Sequence, residues 1–222
     1  MNKQTFEQND IFFTKNIVDP LYNNIWLVGS KKTKHAILID APPDIYNIKK
    51  FLIKNNQWSI NAIFITHNHY DHIDGLKDII NFLNKDIEIW IGINDSNKLK
   101  ELKIKSEKIK YYENSQQYKL NQTIIKFIST PGHTAGSSCI LIEDHLFSGD
   151  TLFPGGPGRT QDSKSFKILI DSIEKKLLNL SENTIVHPGH GDDTTIKNSL
   201  NEFQIFKSKN LNIDNLSGNV TW

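Results

Sequence analysis

The stretch ITHNHYDHIDG, positions 65–75, places three of the chain's eight histidines within six consecutive residues, with Asp71 among them. Immediately upstream, AIFITH (62–67) is a continuous apolar run of the kind a buried strand shows, so His67 stands where a strand ends. Residues i and i+2 of an extended segment point the same way, so His67 and His69 can hold one metal. Asp71 and His72 follow where the chain turns into a helix marked by Leu76, Ile79, Ile80 and Leu83, and can face a second metal beside the first. Chance can gather histidines on a solvated loop, but few structural tasks need four such groups together. Imidazole and carboxylate suit Zn²⁺ and Fe²⁺. No cysteine joins the cluster, which argues against a closed structural zinc site and for a catalytic site with open positions.

Outward from this stretch, short strand-like runs alternate with helical patterns. NNIWLVG (23–29) and HAILID (35–40) read as a strand pair joined by the polar turn SKKTK, and PPD (42–44) then stops the strand and caps a helix carrying Ile45, Ile48, Phe51 and Leu52. IEIWIG (87–92) is a further strand, with Asp95 expected to cap the helix after it. The second half repeats the plan. IIKFIST (124–130), SCILIED (138–144) and HLFSGD (145–150) are three strands, followed by the glycine-rich loop PGGPG (154–158). Ile168, Leu169, Ile173, Leu177 and Leu178 mark an amphipathic helix. TIVHPGHG (184–191) is a strand running into a loop, and Ile196, Leu200, Phe203 and Phe206 mark a last helix. No low-complexity linker interrupts the chain. The pattern predicts one α/β domain over residues 1–222: a four-layer sandwich, two mixed sheets packed together with helices outside. Residues 1–10 and about 211–222 are expected to be peripheral.

His133 in TPGHTAG, Asp150 in SGDTLF and His190 in HPGHGDD all follow strand ends, as His67 does. Strand ends of an α/β fold converge on one edge, where ligands bind. The bulk composition sets a quiet background of 37% hydrophobic and 23% charged residues, with a formal net charge of +1. Nothing there points to nucleic acid or an anionic membrane. A single cysteine, Cys139, permits no internal disulfide and suits a reducing cytosol; no apolar run approaches the ~20 residues of a membrane span, and the polar N-terminus lacks the apolar core of a signal peptide.

THNHYDH, PGHT, SGDTLFPGGPGRT and PGHGDDTT, in this order, resemble the motifs of the metallo-β-lactamase superfamily and, more narrowly, of its glyoxalase II-like single-domain metallo-hydrolases. The likeness runs from NNIWLV to the last helix. It implies the αββα fold and two divalent metal ions, zinc first, with iron or manganese as alternatives. His67, His69 and His133 would hold metal 1; Asp71, His72 and His190 would hold metal 2; Asp150 would bridge them. Asp40, ending ILID, matches the family's strand-end aspartate, which supports a ligand histidine. The implied reaction is attack of a metal-bound hydroxide on a carbonyl, with Asp71 as the catalytic residue that orients it and accepts its proton. The leading substrate is a small acyl thioester, a small molecule of the hydroxyacylglutathione type.

Glyoxalase II proper carries a helical extension that grips glutathione. Only about 32 residues follow His190 here, which leads to an expectation of weak saturation, a high KM more than a low kcat. The alternatives are a mononuclear iron persulfide dioxygenase, a promiscuous lactonase or β-lactamase, and a nuclease of the same superfamily. The dioxygenases show an aspartate after the GRT turn, where this chain has Gln161, and near-zero net charge disfavours a nuclease. His35 at a strand start, His145 in a hairpin turn and His187 before Pro188 read as structural, and Cys139 as a small core residue. Tyr70 lines the pocket or packs beneath the loop. Of 26 basic residues only Arg159 is arginine; it is expected to brace its loop, with direct substrate contact as the alternative.

Overall fold

The computed structural model describes residues 5–112 and 117–222. A seven-stranded sheet runs in simple chain order. Its strands are β1 (Thr5–Gln8), β2 (Ile11–Val18), β3 (Asn23–Ser30), β4 (His35–Ile39), β5 (Ser59–Phe64), β6 (Glu88–Gly92) and β7 (Ile109–Tyr112). The β1 to β4 pairs are antiparallel, and β4 to β7 are parallel. The second sheet has the order β15-β14-β11-β10-β9-β8. It comprises β8 (Gln117–Leu120), β9 (Thr123–Ser129), β10 (Ser138–Ile142), β11 (His145–Gly149), β14 (Ile185–Pro188) and β15 (Thr194–Thr195). Between them in sequence lies a small ribbon, β12 (Leu152–Phe153) with β13 (Gly156–Pro157). The helices are α1 (Ile45–Lys54), α2 (Tyr70–Ile73), α3 (Leu76–Leu83), α4 (Asn97–Glu101), α5 (Ser163–Ser172) and α6 (Ile196–Ser208).

The period-2 alternation of strand side chains sorts the apolar residues into three layers of core. From β3 to β6, Ile25, Leu27, Leu38, Ile63 and Ile89 face outward onto α1, α3 and α4, meeting Ile48, Phe51, Leu76, Ile79 and Leu99. Their neighbours Trp26, Val28, Ile37, Ile39, Phe64 and Trp90 face inward and meet Ile125, Phe127, Ile140 and Phe147 of the second sheet. Cys139, Leu146 and Val186 on the far side of that sheet pack against α5 and α6 through Phe166, Leu169, Phe203 and Phe206. The result is the αββα sandwich. Strands buried on both faces read as continuous apolar runs, which is why β3 to β6 were visible in the sequence. Asp44 caps α1 by accepting from the Asn47 N–H at 3.2 Å. On α5, Phe166 and Ile170 take buried positions, while Ile168 is exposed.

Both chain ends are more engaged than expected. β2 pairs with β3 along its whole length, and Phe6 of β1 stacks over Trp26 with centroids 6.1 Å apart. Residues 1–4 of the segment expected to be peripheral lie outside the described residues. At the other end, Gly218 and Thr160 exchange backbone hydrogen bonds of 2.9 and 3.2 Å, and the Trp222 N–H donates to the Gly155 carbonyl at 2.8 Å. The Trp222 ring lies 5.1 Å from that of Phe203. Apolar rings at both ends thus find exposed apolar edges to cover. Among the described residues, no helix is long and apolar enough to cross a membrane.

Candidate metal centre

The seven expected ligands meet at one edge of the sandwich, each delivered by a strand end. His67 follows β5, and the chain then enters the single turn α2, which holds Asp71 and His72. His133 lies in the β9–β10 loop, Asp150 follows β11, and His190 follows β14. They form overlapping triads whose donor atoms lie within 4.8 Å of one another: His67, His69 and His133; Asp71, His72 and His190; and His67, His72 and Asp150. In the first, His69 Nδ1 is 2.9 Å from His133 Nε2. In the second, His72 Nε2 is 3.1 Å from His190 Nε2, and Asp71 Oδ2 is 3.5 and 3.2 Å from those two nitrogens. Asp150 reaches both groups, with Oδ1 3.5 Å from His72 Nε2 and Oδ2 3.7 Å from each of His133 Nε2 and His190 Nε2.

The second nitrogen of four of these rings is fixed. His72 Nδ1 bonds to Asp40 Oδ2 at 2.7 Å, His133 Nδ1 to the Arg159 carbonyl at 2.7 Å, and His190 Nδ1 to the Leu21 carbonyl at 2.8 Å. His67 Nδ1 lies 3.1 Å from Thr66 Oγ1, which itself donates to Asp40. With Nδ1–H spent on these acceptors, each ring in its neutral form presents the lone pair of Nε2 to the centre. His67 Nε2 and Asp150 Oδ1 are buried with no hydrogen-bond partner among the described residues. Buried groups left so are costly unless something satisfies them. Cations fit the donor set: imidazole and carboxylate, no thiolate.

The charge states in the cation-free protein follow from the same packing. Burial, reinforced by the neighbouring imidazoles, pushes His67 well below the usual histidine range, so it stays neutral. Burial also works against a charged His72, but the Asp150 and Asp40 carboxylates prevail and raise it to about 9. For Asp71, burial would raise the pKa; the His190 hydrogen bond, the His72 charge and the Asn23 amide hold it well below the carboxylate range instead.

Close backbone approach makes room for the centre. A Cβ on Gly189 would sit 2.4 Å from Asp150 Oδ1 and 2.6 Å from His72 Cε1, so only glycine fits there. Asp95 has a different role from the helix cap expected of it. Ser96 precedes α4, and the buried Asp95 carboxylate accepts from the Asn68 N–H at 3.0 Å, the Gly136 N–H at 2.8 Å and the Thr134 hydroxyl at 2.7 Å. It therefore ties the His67–His69 loop to the His133 loop. A local sequence reading has no access to donors so far apart in the chain.

Other expectations sort as follows. His35 begins β4 and is exposed, and Tyr70 is 56% exposed at the start of α2. His145 is not in a turn: it opens β11, buried, stacked on Phe13 at 4.3 Å, with Nδ1 2.9 Å from His187 Nε2. His187 in turn lies 3.0 Å from Asp193, whose other oxygen is 3.6 Å from the buried Lys15 amine. Arg159 holds the centre only through its backbone carbonyl. Its guanidinium is exposed, with no hydrogen-bond or ion-pair partner among the described residues, so the loop is not braced by that side chain. It lines a cleft of about 290 Å³ beside His133 and Asp150, whose far wall is the C-terminal segment Asn219, Val220 and Thr221.

An αββα sandwich with a His/Asp metal centre on one sheet edge defines a class of metal-dependent hydrolases. A family model described as beta-lactamase superfamily domain matches residues 35–135, and one described as metallo-beta-lactamase superfamily matches residues 121–190. The chain is 30% identical over 169 residues to the probable polyketide biosynthesis zinc-dependent hydrolase BaeB of Bacillus velezensis, a match covering 76% of this chain and 72% of that protein. It is 30% identical over 210 residues to the hydroxyacylglutathione hydrolase of Buchnera aphidicola, covering 95% and 76%. Among solved structures, the BLEG-1 B3 metallo-beta-lactamase aligns with a TM-score of 0.73 at 27% identity, covering 85% of this chain and 96% of that one. The chain belongs to the metallo-beta-lactamase superfamily, and it is a metallo-hydrolase of that superfamily.

Proposed function

We propose that this protein hydrolyses a small acyl thioester at a centre of two divalent cations. The observation that carries the reading is the pair of triads meeting on Asp150. His67, His69 and His133 would hold one cation and Asp71, His72 and His190 the other, with Asp150 shared. Zinc is the first candidate, in keeping with the zinc-dependent hydrolase among the relatives. When bound, the pair would lower the pKa of a water and polarise a carbonyl. The protein supplies the rest. Asp71, at the start of α2 beside His72 and His190, is placed to orient the attacking water. Asp40, Thr66 and the Arg159 and Leu21 carbonyls keep the ligand rings in one tautomer. Cys139 does not compete as a nucleophile: it is fully buried and burial pushes its thiol up to about 11.

The substrate class rests on the cleft and the relatives. Arg159, without a side-chain partner among the described residues, offers a planar donor fork at the mouth of the centre, suited to a substrate carboxylate. The relatives include hydroxyacylglutathione hydrolases, named for an acylated glutathione. The test is a substrate panel on zinc-loaded protein: S-lactoylglutathione and smaller thioesters, a lactone, a β-lactam, a phosphodiester, and glutathione persulfide in an oxygen electrode. Thioester turnover that vanishes in His69→Ala supports the reading. Oxygen uptake with persulfide and no thioester cleavage would overturn it in favour of a persulfide dioxygenase.

A further inference from the structure

The second triad has a neighbour that the first lacks. Asn23, at the start of β3 and only 3% exposed, turns its carboxamide into the triad. Its Nδ2 lies 3.1 Å from Asp71 Oδ2, 3.4 Å from His72 Nε2 and 3.4 Å from His190 Nε2. The three ligand atoms are themselves 3.1, 3.2 and 3.5 Å apart. Donor atoms around a tetrahedral cation with bonds of ~2.0–2.1 Å stand ~3.3–3.4 Å apart, so the triad is already spaced for its ion. One amide faces all three corners of that arrangement. It donates to Asp71 Oδ2 and packs its nitrogen against both ring nitrogens, so the carboxamide acts as a spacer that holds the three ligand groups apart.

The spacer is itself anchored. Asn23 forms a backbone bridge with His190, and the Asn24 N–H donates to the Gly189 carbonyl at 2.7 Å. The Asn24 side chain donates to the Pro188 and Gly191 carbonyls at 3.0 and 2.9 Å, and the Leu21 carbonyl takes the His190 Nδ1 proton. The segment 21–24 thus clamps the whole His190 loop and aims one amide into the gap. No side-chain amide of the described residues lies within hydrogen-bond distance of the His69 and His133 atoms that face each other, and His69 is exposed.

We infer that Asn23 is a positioning residue that pre-forms the second cation site, so that its loss weakens one cation and spares the other. The inference rests on the two-cation reading above. Partners that fix ligating groups in this way are worth 10–100-fold in metal affinity. The test is a zinc titration of cation-free protein against a chromophoric chelator, comparing wild type with Asn23→Leu, which keeps the branch at Cγ but is bulkier and makes no hydrogen bonds, and with Asn23→Ala, which removes the amide without adding bulk. Wild type is expected to bind two ions. The variants are expected to bind one with affinity unchanged to about twofold and the other about 10–100-fold more weakly, with thermal melting of the cation-free proteins reporting the fold separately. Two ions in wild type with equal weakening of both in the variants, or with no weakening, overturns this inference alone. Fewer than two ions in wild type overturns the two-cation reading and this inference with it.

Discussion

Asp40→Asn isolates how the protein chooses a tautomer. Asp40 is buried, and its carboxylate accepts on both sides: Oδ1 from the Thr66 N–H at 2.8 Å, Oδ2 from His72 Nδ1 at 2.7 Å. It stands at φ +64°, a left-handed conformation that asparagine tolerates better than most residues, so the backbone has little reason to move. An amide accepts at one end only. Whichever way it turns, one N–H must face another. The Thr66 backbone N–H has no alternative state, whereas the imidazole does. The cheaper solution moves the His72 proton to Nε2, the atom that faces Asp71, His190 and Asp150. The ligand lone pair is then lost until the ring is forced back. Replacing such a partner costs 10–100-fold in metal affinity, or ~1.4–2.7 kcal/mol at ~1.36 kcal/mol per tenfold. Isothermal titration with zinc measures it directly, with Asp44→Asn, a helix cap away from the centre, as the control. Zinc affinity in Asp40→Asn equal to wild type would refute the tautomer reasoning.

Asp150→Ala should lose metal more broadly than Asp71→Ala, because Asp150 lies within 3.7 Å of histidines from both triads while Asp71 contacts only the second; elemental analysis of the two variants compares them, and equal loss would contradict the bridging role. Arg159→Lys should leave the melting temperature close to that of a surface swap, within about ±0.5 kcal/mol, because the guanidinium braces nothing, and should instead raise KM for a carboxylate-bearing thioester. Burial first, and then His187, hold His145 down at about 4, against an ordinary 6.5. The unfolded chain therefore takes up a proton that the folded one refuses, and wild type loses stability from pH 6.5 down to about 4, with no further loss from this group below that. The 2.5-unit difference (6.5 − 4) corresponds to about 3 kcal/mol at most. Denaturant unfolding of His145→Gln should show that much less acid sensitivity, and parallel pH profiles of variant and wild type would contradict the placement.

Much of this molecule was legible before its fold was known, for identifiable reasons. Strands buried on both faces, such as β3, β5 and β10, have no option but to be apolar. Ligand residues at strand ends announce themselves by type, since histidine and aspartate seldom gather without a task. β2 was missed because Thr14, Lys15 and Asn16 interrupt its apolar pattern; Lys15 is buried there only because Asp193, far along the chain, lies 3.6 Å away. Asp95 looks like a cap because a helix follows, yet the backbone N–H groups that donate to it are 27 and 41 positions distant. Arg159 stood out by composition, but only the structure separates its working carbonyl from its unpaired side chain. Asn23 gives no signal at all in one sequence: an asparagine before a strand is ordinary until His72 and His190 are brought to meet it.

The number of cations per chain tests the dinuclear centre most directly. Protein stripped by chelation, reloaded with excess zinc and desalted is analysed for metal by elemental analysis against protein concentration. The proposed two-cation reading, built on the two triads beside Asp150, predicts about two zinc ions per chain. One iron per chain, unchanged by added zinc or manganese, would contradict the dinuclear centre and with it the proposed thioester hydrolysis.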